Sequence, residues 1–358
     1  MAQDDIAALL LTTEAQVRYF TGFLTRFWES PTRPWFVVVP ASGKPIAVIP
    51  AIGSTLMAQT WISDIRTWSS PDLTDDGTGL LIETLHEVAA GGRIAVPDGH
   101  ETHVRMPLAD FRRLSAACNL TSDKGIVRRL RMVKSEAEIA KVAAACAIAG
   151  RAFARVPEIA AEGVALDTVF RQFQMLCLQE GADWVPYLAG GAGQGGYGDV
   201  ISPATAAPLA RGDVLMLDTG LVHDGYFCDF DRNWSVGPPS RATQDAHARL
   251  CDATEAAYTA ARPGVTAADL FHAMDRVLSQ GSGPTDGGRL GHGVGMSLTE
   301  WPSLIPSDHT VIEAGMILTL EPGLAIGDRI MVHEENIVIT QDGARYLSPH
   351  DPARIPVL

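Results

Sequence analysis

Several acidic side chains in this chain stand where an apolar run stops. Asp218 follows four apolar residues, Val214–Leu217, Glu321 closes the segment ILTLE, and the adjacent acids Glu334 and Glu335 interrupt an apolar stretch that ends IVIT. A carboxylate set against a core is costly unless a cation or several donors meet it. The segment VLMLDTGLVHDGYFCDFDRNWSVG reads as two strands joined by a glycine-bearing turn, and antiparallel pairing about that turn can bring Asp218 and Asp229 together. His292 lies between Gly291 and Gly293, so the backbone can bend tightly and present an imidazole, a side chain suited to transition metals. Glu334 and Glu335 face opposite sides of one strand, and parity alone does not choose between them. Each segment has an ordinary structural explanation by itself. Together they offer four carboxylates and one imidazole, a set whose charge balances when two divalent cations bind.

The rest of the chain shows what must carry this set. Its 358 residues exceed one ordinary core, which predicts two domains, 1–125 and 126–358. WFVVVP and PIAVIP around ASGK predict a hairpin, RIAVP another strand and MPLADFRRLSAAC a helix, as in a small α/β domain. Ser135 and Glu138 then form a capping box, opening a helix with Ile139, Val142, Cys146, Ala149 and Phe153 on one face. Two helical stretches (about 135–155 and 165–180) precede a strand-rich one, and two more (about 242–262 and 266–280) precede a second, so the larger domain reads as two pseudo-equivalent αβ halves. The balance of 28 Lys+Arg against 42 Asp+Glu, a formal −14, argues against nucleic acid or an anionic membrane as partner and leaves small molecules and peptides. The start MAQDDIAALLLTTEAQ lacks the basic lead of a signal peptide and predicts a cytoplasmic protein. Five scattered cysteines without a CxxC pair read as buried apolar residues.

With these motifs the sequence resembles the pita-bread metallohydrolase superfamily of creatinase, prolidase, aminopeptidase P and methionine aminopeptidase. The pattern D-x-G…GY-x-x-D matches at Asp218, Gly220, Gly225, Tyr226 and Asp229, the GHG bend at Gly291–Gly293, the EPG step at Glu321–Gly323 and the closing acid at Glu335. The likeness spans about 128–350 and extends more loosely over the N-terminal region through VRYFTGF. It implies an α+β chain: a C-terminal pita-bread domain of two αβ halves behind a smaller α/β creatinase-like domain that serves dimerisation and substrate access. It implies two divalent metal ions (Mn, Co, Fe or Zn), with Asp218 on one, His292 and Glu321 on the other, and Asp229 and Glu335 bridging. Glu321 would handle the proton of the attacking water. The implied activity is hydrolysis of a small amide or C–N bond in an Xaa-Pro dipeptide, by a homodimer; a creatinase-like amidohydrolase and a dimethylsulfoniopropionate lyase are the alternatives, with a non-catalytic binding member behind them.

Two departures bear on the substrate. Thr299 stands where prolidases carry a second histidine, and a threonine donates one hydrogen bond but carries no proton at neutral pH. The segment GGAGQGGYGDVISPATAAPLARGD also lacks the histidine that precedes the first metal strand in the family. Thr299 and His333 are candidate catalytic residues beside Glu321. Tyr187, Tyr197 and Trp301 are candidate pocket residues, and the mixture of Arg26, Trp28 and Arg33 in TRFWESPTRPWF is a candidate reader of a substrate head group.

Overall fold

The computed structural model describes residues 1–30, 34–280, 288–351 and 353–358. The chain divides into two compact units, Met1–Leu130 and Arg131–Leu358. In the first, β1 (Ile6–Leu11), α1 (Glu14–Thr21), β2 (Phe36–Pro40), β3 (Ile46–Pro50), α2 (Ser54–Met57), β4 (Asp64–Trp68), α3 (Thr78–Ala89), β5 (Arg93–Val96), α4 (Leu108–Ala117) and β6 (Leu120–Ser122) follow in order, and α5 (Ile126–Met132) carries the division. Its sheet runs β4-β3-β2-β1-β5-β6, with β2 and β3 forming the expected hairpin (Phe36 opposite Val48). Strands rich in branched residues bury both faces, Leu9, Val37 and Ile49 in one core and Leu10, Val38 and Val48 in the other.

The second unit holds the repeat. Helices α6 (Glu136–Ala154) and α7 (Leu166–Glu180) precede β7 (Trp184–Gln194), β8 (Asp213–His223), β9 (Tyr226–Phe227) and β10 (Phe230–Ser235). Helices α8 (Arg241–Ala260) and α9 (Ala267–Ser279) precede β11 (His292–Gly293), β12 (Glu300–Ser303), β13 (Ile317–Leu320), β14 (Gly323–Ile326), β15 (Arg329–Val332), β16 (Glu335–Ile339) and β17 (Ala344–Tyr346). The Ser135 capping box forms, with Ser135 N–H donating to Glu138 Oε2 at 2.9 Å, and α9 starts on the equivalent box of Thr266 and Asp269. The first half gives the sheet β10-β8-β7 with β9 on β8; the second gives β12-β11-β13-β16-β17 and a separate β14–β15 hairpin. This is the α+β architecture of two αβ halves, and strands of both halves contribute to each of two large cores.

Candidate metal centre

Asp218 lies in the middle of β8, not at its end: the strand continues through Leu221 to His223, and Asp218 sits opposite Ala189 on β7 and Asp231 on β10. Alternation explains its placing. Leu217 and Leu221 enter one core and Met216 the other, so Asp218 and Gly220 share the second face. Asp229 and Asp231 take that same face of the antiparallel partner, while Cys228 and Phe230 are buried behind.

His292 enters from the other half. Gly291 has φ +139°, and a Cβ there would meet Thr319 O at 2.3 Å; one on Gly293 would meet Trp301 O at the same 2.3 Å. Only glycines let the backbone bend this closely. His292 Nδ1 lies 2.8 Å from Gly293 O, which can only accept, so Nδ1 carries the proton and Nε2 keeps its lone pair. That Nε2 is 3.3 Å from Asp229 Oδ2. Glu321, just beyond β13, is tied by its N–H to Leu290 O at 2.9 Å, and the fields of His292 and Asp218 act on its carboxylate.

The fifth member is Glu334. Ligand atoms of Asp229, His292 and Glu334 all lie within 4.8 Å of one another. The expectation for Glu335 is corrected here. Glu335 pairs with Leu320 and faces the opposite side, where its Oε2 accepts from Arg232 Nη2 at 3.0 Å and from Ser348 Oγ, and its Oε1 accepts from Asp351 N–H at 2.9 Å. Its carboxylate is already engaged.

The same parity corrects His333. Two residues before Glu335 and on its side, its Nδ1 lies 2.9 Å from Thr254 Oγ1, its ring meets His247 edge-on, and burial with the nearby Arg232 charge holds its pKa well below the usual value. It faces a buried polar cluster behind the centre, away from the reacting side. Tyr197 is also corrected: it is fully buried, its hydroxyl accepts Val332 N–H at 2.6 Å, and it joins β15 to the first half as a core residue. Tyr187 does reach the centre, where its phenol interacts with Asp218 and burial beside Asp218 and Asp229 raises its pKa. Trp301 packs on the second core and donates its indole N–H to Thr310 Oγ1 at 3.0 Å. Thr299 is half-buried in the bend before β12. In the N-terminal unit Trp28 is 8% exposed, packs on Trp35 and is covered by Arg105, which makes it a core residue and not an open reader of substrate. Arg26 is exposed, and Arg33 lies outside the described residues.

Burial and mutual repulsion push the carboxyls of Asp218, Asp229 and Glu334 well above the usual carboxylate range, and Glu321 is pushed up to about 7. Among the described residues, Asp218 Oδ1 and Glu334 Oε1 are buried without a hydrogen-bond partner. Unpartnered buried oxygens among converging carboxylates, beside an imidazole nitrogen with a fixed lone pair, fit divalent cations. Sequence reasoning missed Asp231, which lies on the Asp229 face, and Asn336, which lies two residues beyond Glu334. The i, i+2 spacing after each ligand was the available signal.

The profile described as Metallopeptidase family M24 matches residues 140–342, and that of the Creatinase/Prolidase N-terminal domain matches residues 1–133. The chain belongs to metallopeptidase family M24. Among the relatives of this chain, the probable dipeptidase PepE of Mycobacterium tuberculosis is 31% identical over 363 residues, covering 99% of this chain and 94% of that protein. The Xaa-Pro dipeptidase of Pyrococcus horikoshii is 30% identical over 253 residues, 68% of this chain and 71% of its own. The crystal structure of dipeptidase PepE from Mycobacterium ulcerans superposes with a TM-score of 0.85 at 29% identity, over 99% of this chain and 94% of that one. Membership of M24 makes this a hydrolytic enzyme that uses divalent metal. No helix among the described residues is long and apolar enough to cross a membrane.

Proposed function

We propose that this chain is a two-metal dipeptidase that cleaves Xaa-Pro dipeptides. The observation that carries the reading is the buried cluster of Asp229, His292 and Glu334, with Asp218 and Glu321 near enough to act on its carboxyls and two carboxylate oxygens unpartnered among the described residues. The names of two relatives, a probable dipeptidase and an Xaa-Pro dipeptidase, support the substrate class. Asp218 would hold one ion and His292 with Glu321 the other, with Asp229 and Glu334 shared; Mn, Co, Fe and Zn all suit such donors. When bound, the ions supply Lewis acidity, which acidifies water and polarises the scissile carbonyl. Glu321 would also accept a proton from the attacking water and return it to the leaving amine. His292 is held in one tautomer by Gly293 O, so its Nε2 needs no reorganisation before binding. Thr299 can donate one hydrogen bond where charge develops, and Tyr187 anchors the outer edge of Asp218. We carry with this reading a cytoplasmic homodimer whose N-terminal segment, 1–125, serves dimerisation and substrate access; light scattering tests the dimer.

The deciding experiment loads purified protein with manganese or cobalt and offers Gly-Pro, Ala-Pro, Leu-Pro and Phe-Pro beside creatine and dimethylsulfoniopropionate. Chelator-sensitive cleavage of the dipeptides is expected. Turnover of only creatine or only the sulfonium compound would replace the peptidase reading.

A further inference from the structure

Residues 294–299, between β11 and β12, form neither helix nor strand, so side chains must hold this bend in place. Its tip reaches the other half. A Cβ on Gly220 would meet Leu298 Cδ1 at 2.1 Å and Tyr187 Cβ at 3.3 Å. Gly220 lies two residues beyond Asp218 on the same face of β8, and Tyr187 is its partner on β7. The half-buried Leu298 is therefore seated beside the metal centre, in space that a side chain at 220 would take. The start of the bend is tied to the same half, where Phe227 N–H donates to Gly295 O at 2.8 Å. Thr299 lies between the seated Leu298 and the first residue of β12.

That first residue, Glu300, staples the bend. Its carboxylate is buried. Oε1 accepts the Ser297 N–H at 3.1 Å and a hydrogen bond from Arg131 Nη2, and Oε2 accepts from Lys134 Nζ at 3.1 Å. Arg131 Nη2 also donates to Ser297 Oγ at 3.0 Å. The carboxylate occupies the place of a side chain at 295, since a Cβ on Gly295 would meet both of its oxygens at 3.0 Å. One acid thus joins the start, middle and end of the bend to the chain that leads into α6. A buried ion network is a poor source of stability, because apolar side chains of similar volume fill such a space without the desolvation cost. Apolar side chains would not aim an acceptor at the Ser297 N–H.

We propose that Glu300 is a positioning residue for the reaction: held by Arg131 and Lys134, it keeps Leu298 seated on Gly220 and so fixes one wall of the space beside the metal centre. The inference rests on the dipeptidase reading and adds to it a group that acts through the bend rather than on the substrate.

The test uses manganese-loaded protein and Gly-Pro, with calorimetric Mn²⁺ affinity and urea melts alongside. Glu300→Gln should lower kcat/KM about ten- to hundredfold, mainly by raising KM, while Mn²⁺ affinity stays within about twofold of wild type. Ser297→Ala removes only the Arg131–Ser297 bond and should move KM the same way, by about two- to tenfold. Leu298→Ala should mimic Glu300→Gln. Because both act through one seat, the double variant Glu300→Gln/Leu298→Ala should be about as impaired as the worse single one. Effects that multiply in the double variant would overturn the inference, since Glu300 would then serve the fold in general. A kcat/KM within about twofold of wild type in Glu300→Gln, or Mn²⁺ affinity that falls in step with it, would also overturn it. If Glu300→Gln does not fold, Ser297→Ala takes its place in the double variant and the same outcomes decide. A wild type that binds Mn²⁺ and leaves Gly-Pro intact would overturn the dipeptidase reading itself, and the inference with it.

Discussion

Glu334 and Glu335 are neighbours of the same type, yet substitution should affect them in opposite ways. Glu334→Gln replaces a buried carboxyl whose pKa is raised well above 4.5 by burial and by Asp229, Glu321 and Asp218. In the metal-free protein burial and these three neighbours favour the protonated carboxyl above 4.5, where the unfolded chain has lost its proton. An acid with a raised folded pKa lowers stability above its unfolded value, by about 1.4 kcal/mol for each pH unit while the proton stays on. By pH 7 the cost is at most about 3 kcal/mol, and glutamine, which mimics the protonated form, removes it. Metal-free Glu334→Gln should therefore be more stable than wild type at pH 7, by up to about 3 kcal/mol, and equal to it near pH 4. It should also lose metal and activity. Glu335→Gln does the reverse. It leaves the buried Arg232 guanidinium short of its carboxylate partner, at a cost of about 3–5 kcal/mol, while the ligands stay in place. Urea melts of stripped protein at pH 4.5 and 7, with metal analysis of reloaded samples, read both effects. Metal retained in Glu334→Gln and lost in Glu335→Gln would refute the parity assignment; a destabilised metal-free Glu334→Gln at pH 7 would refute the electrostatic reasoning.

The same sign applies to Glu321: with its pKa near 7 against 4.5 unfolded, metal-free protein should lose stability as pH rises from about 4.5 to 7, and saturating metal should flatten that slope in thermal melts. Glu300 behaves oppositely. Arg131 and Lys134 hold it down to about 2 despite burial, so its contribution is present above 4.5 and lost as pH falls towards 2. Glu300→Gln should cost about 3–5 kcal/mol in urea melts while leaving metal stoichiometry unchanged; lost stoichiometry would place this triad in the metal centre instead. Gly291→Ala combines a φ of +139° with a Cβ 2.3 Å from Thr319 O, so it should displace His292 and abolish metal uptake; a fully loaded Gly291→Ala protein would remove the close-approach argument.

Most of the fold was legible because its signals are local. The Ser135–Glu138 box starts α6 as its chemistry requires, and the run around ASGK forms its hairpin. Asp218, Asp229, His292 and Glu321 were legible as a set, since each interrupts an apolar or glycine-rich stretch that burial alone would not tolerate. The choice between Glu334 and Glu335 was not legible from local pattern. Both are fully or nearly fully buried, and only cross-strand pairing with Leu320 and the distant Arg232, Ser348 and Asp351 settles which one turns inward. Tyr197, Trp28 and His333 misled for a related reason. An aromatic or imidazole near a motif in sequence can be consumed by packing from elsewhere, and each here meets a partner far along the chain: Val332, Arg105 and Thr254.

The arrangement also shows why the two halves need each other. Each sheet alone would bury carboxylates that repel within it, Asp218 and Asp229 in the first half and Glu321 and Glu334 in the second. Asn336 Oδ1 accepts the Asp229 N–H and Asp231 Oδ1 accepts the Glu334 N–H, so each ligand backbone finds its partner across the halves. Hydrogen bonding therefore fixes where the ligand backbones stand, while among the described residues Asp218 Oδ1 and Glu334 Oε1 stay without a hydrogen-bond partner. Backbone order and side-chain charge are thus satisfied by different agents, the protein for the first and cations for the second. A centre built this way can lose its metal without losing the positions of its ligands.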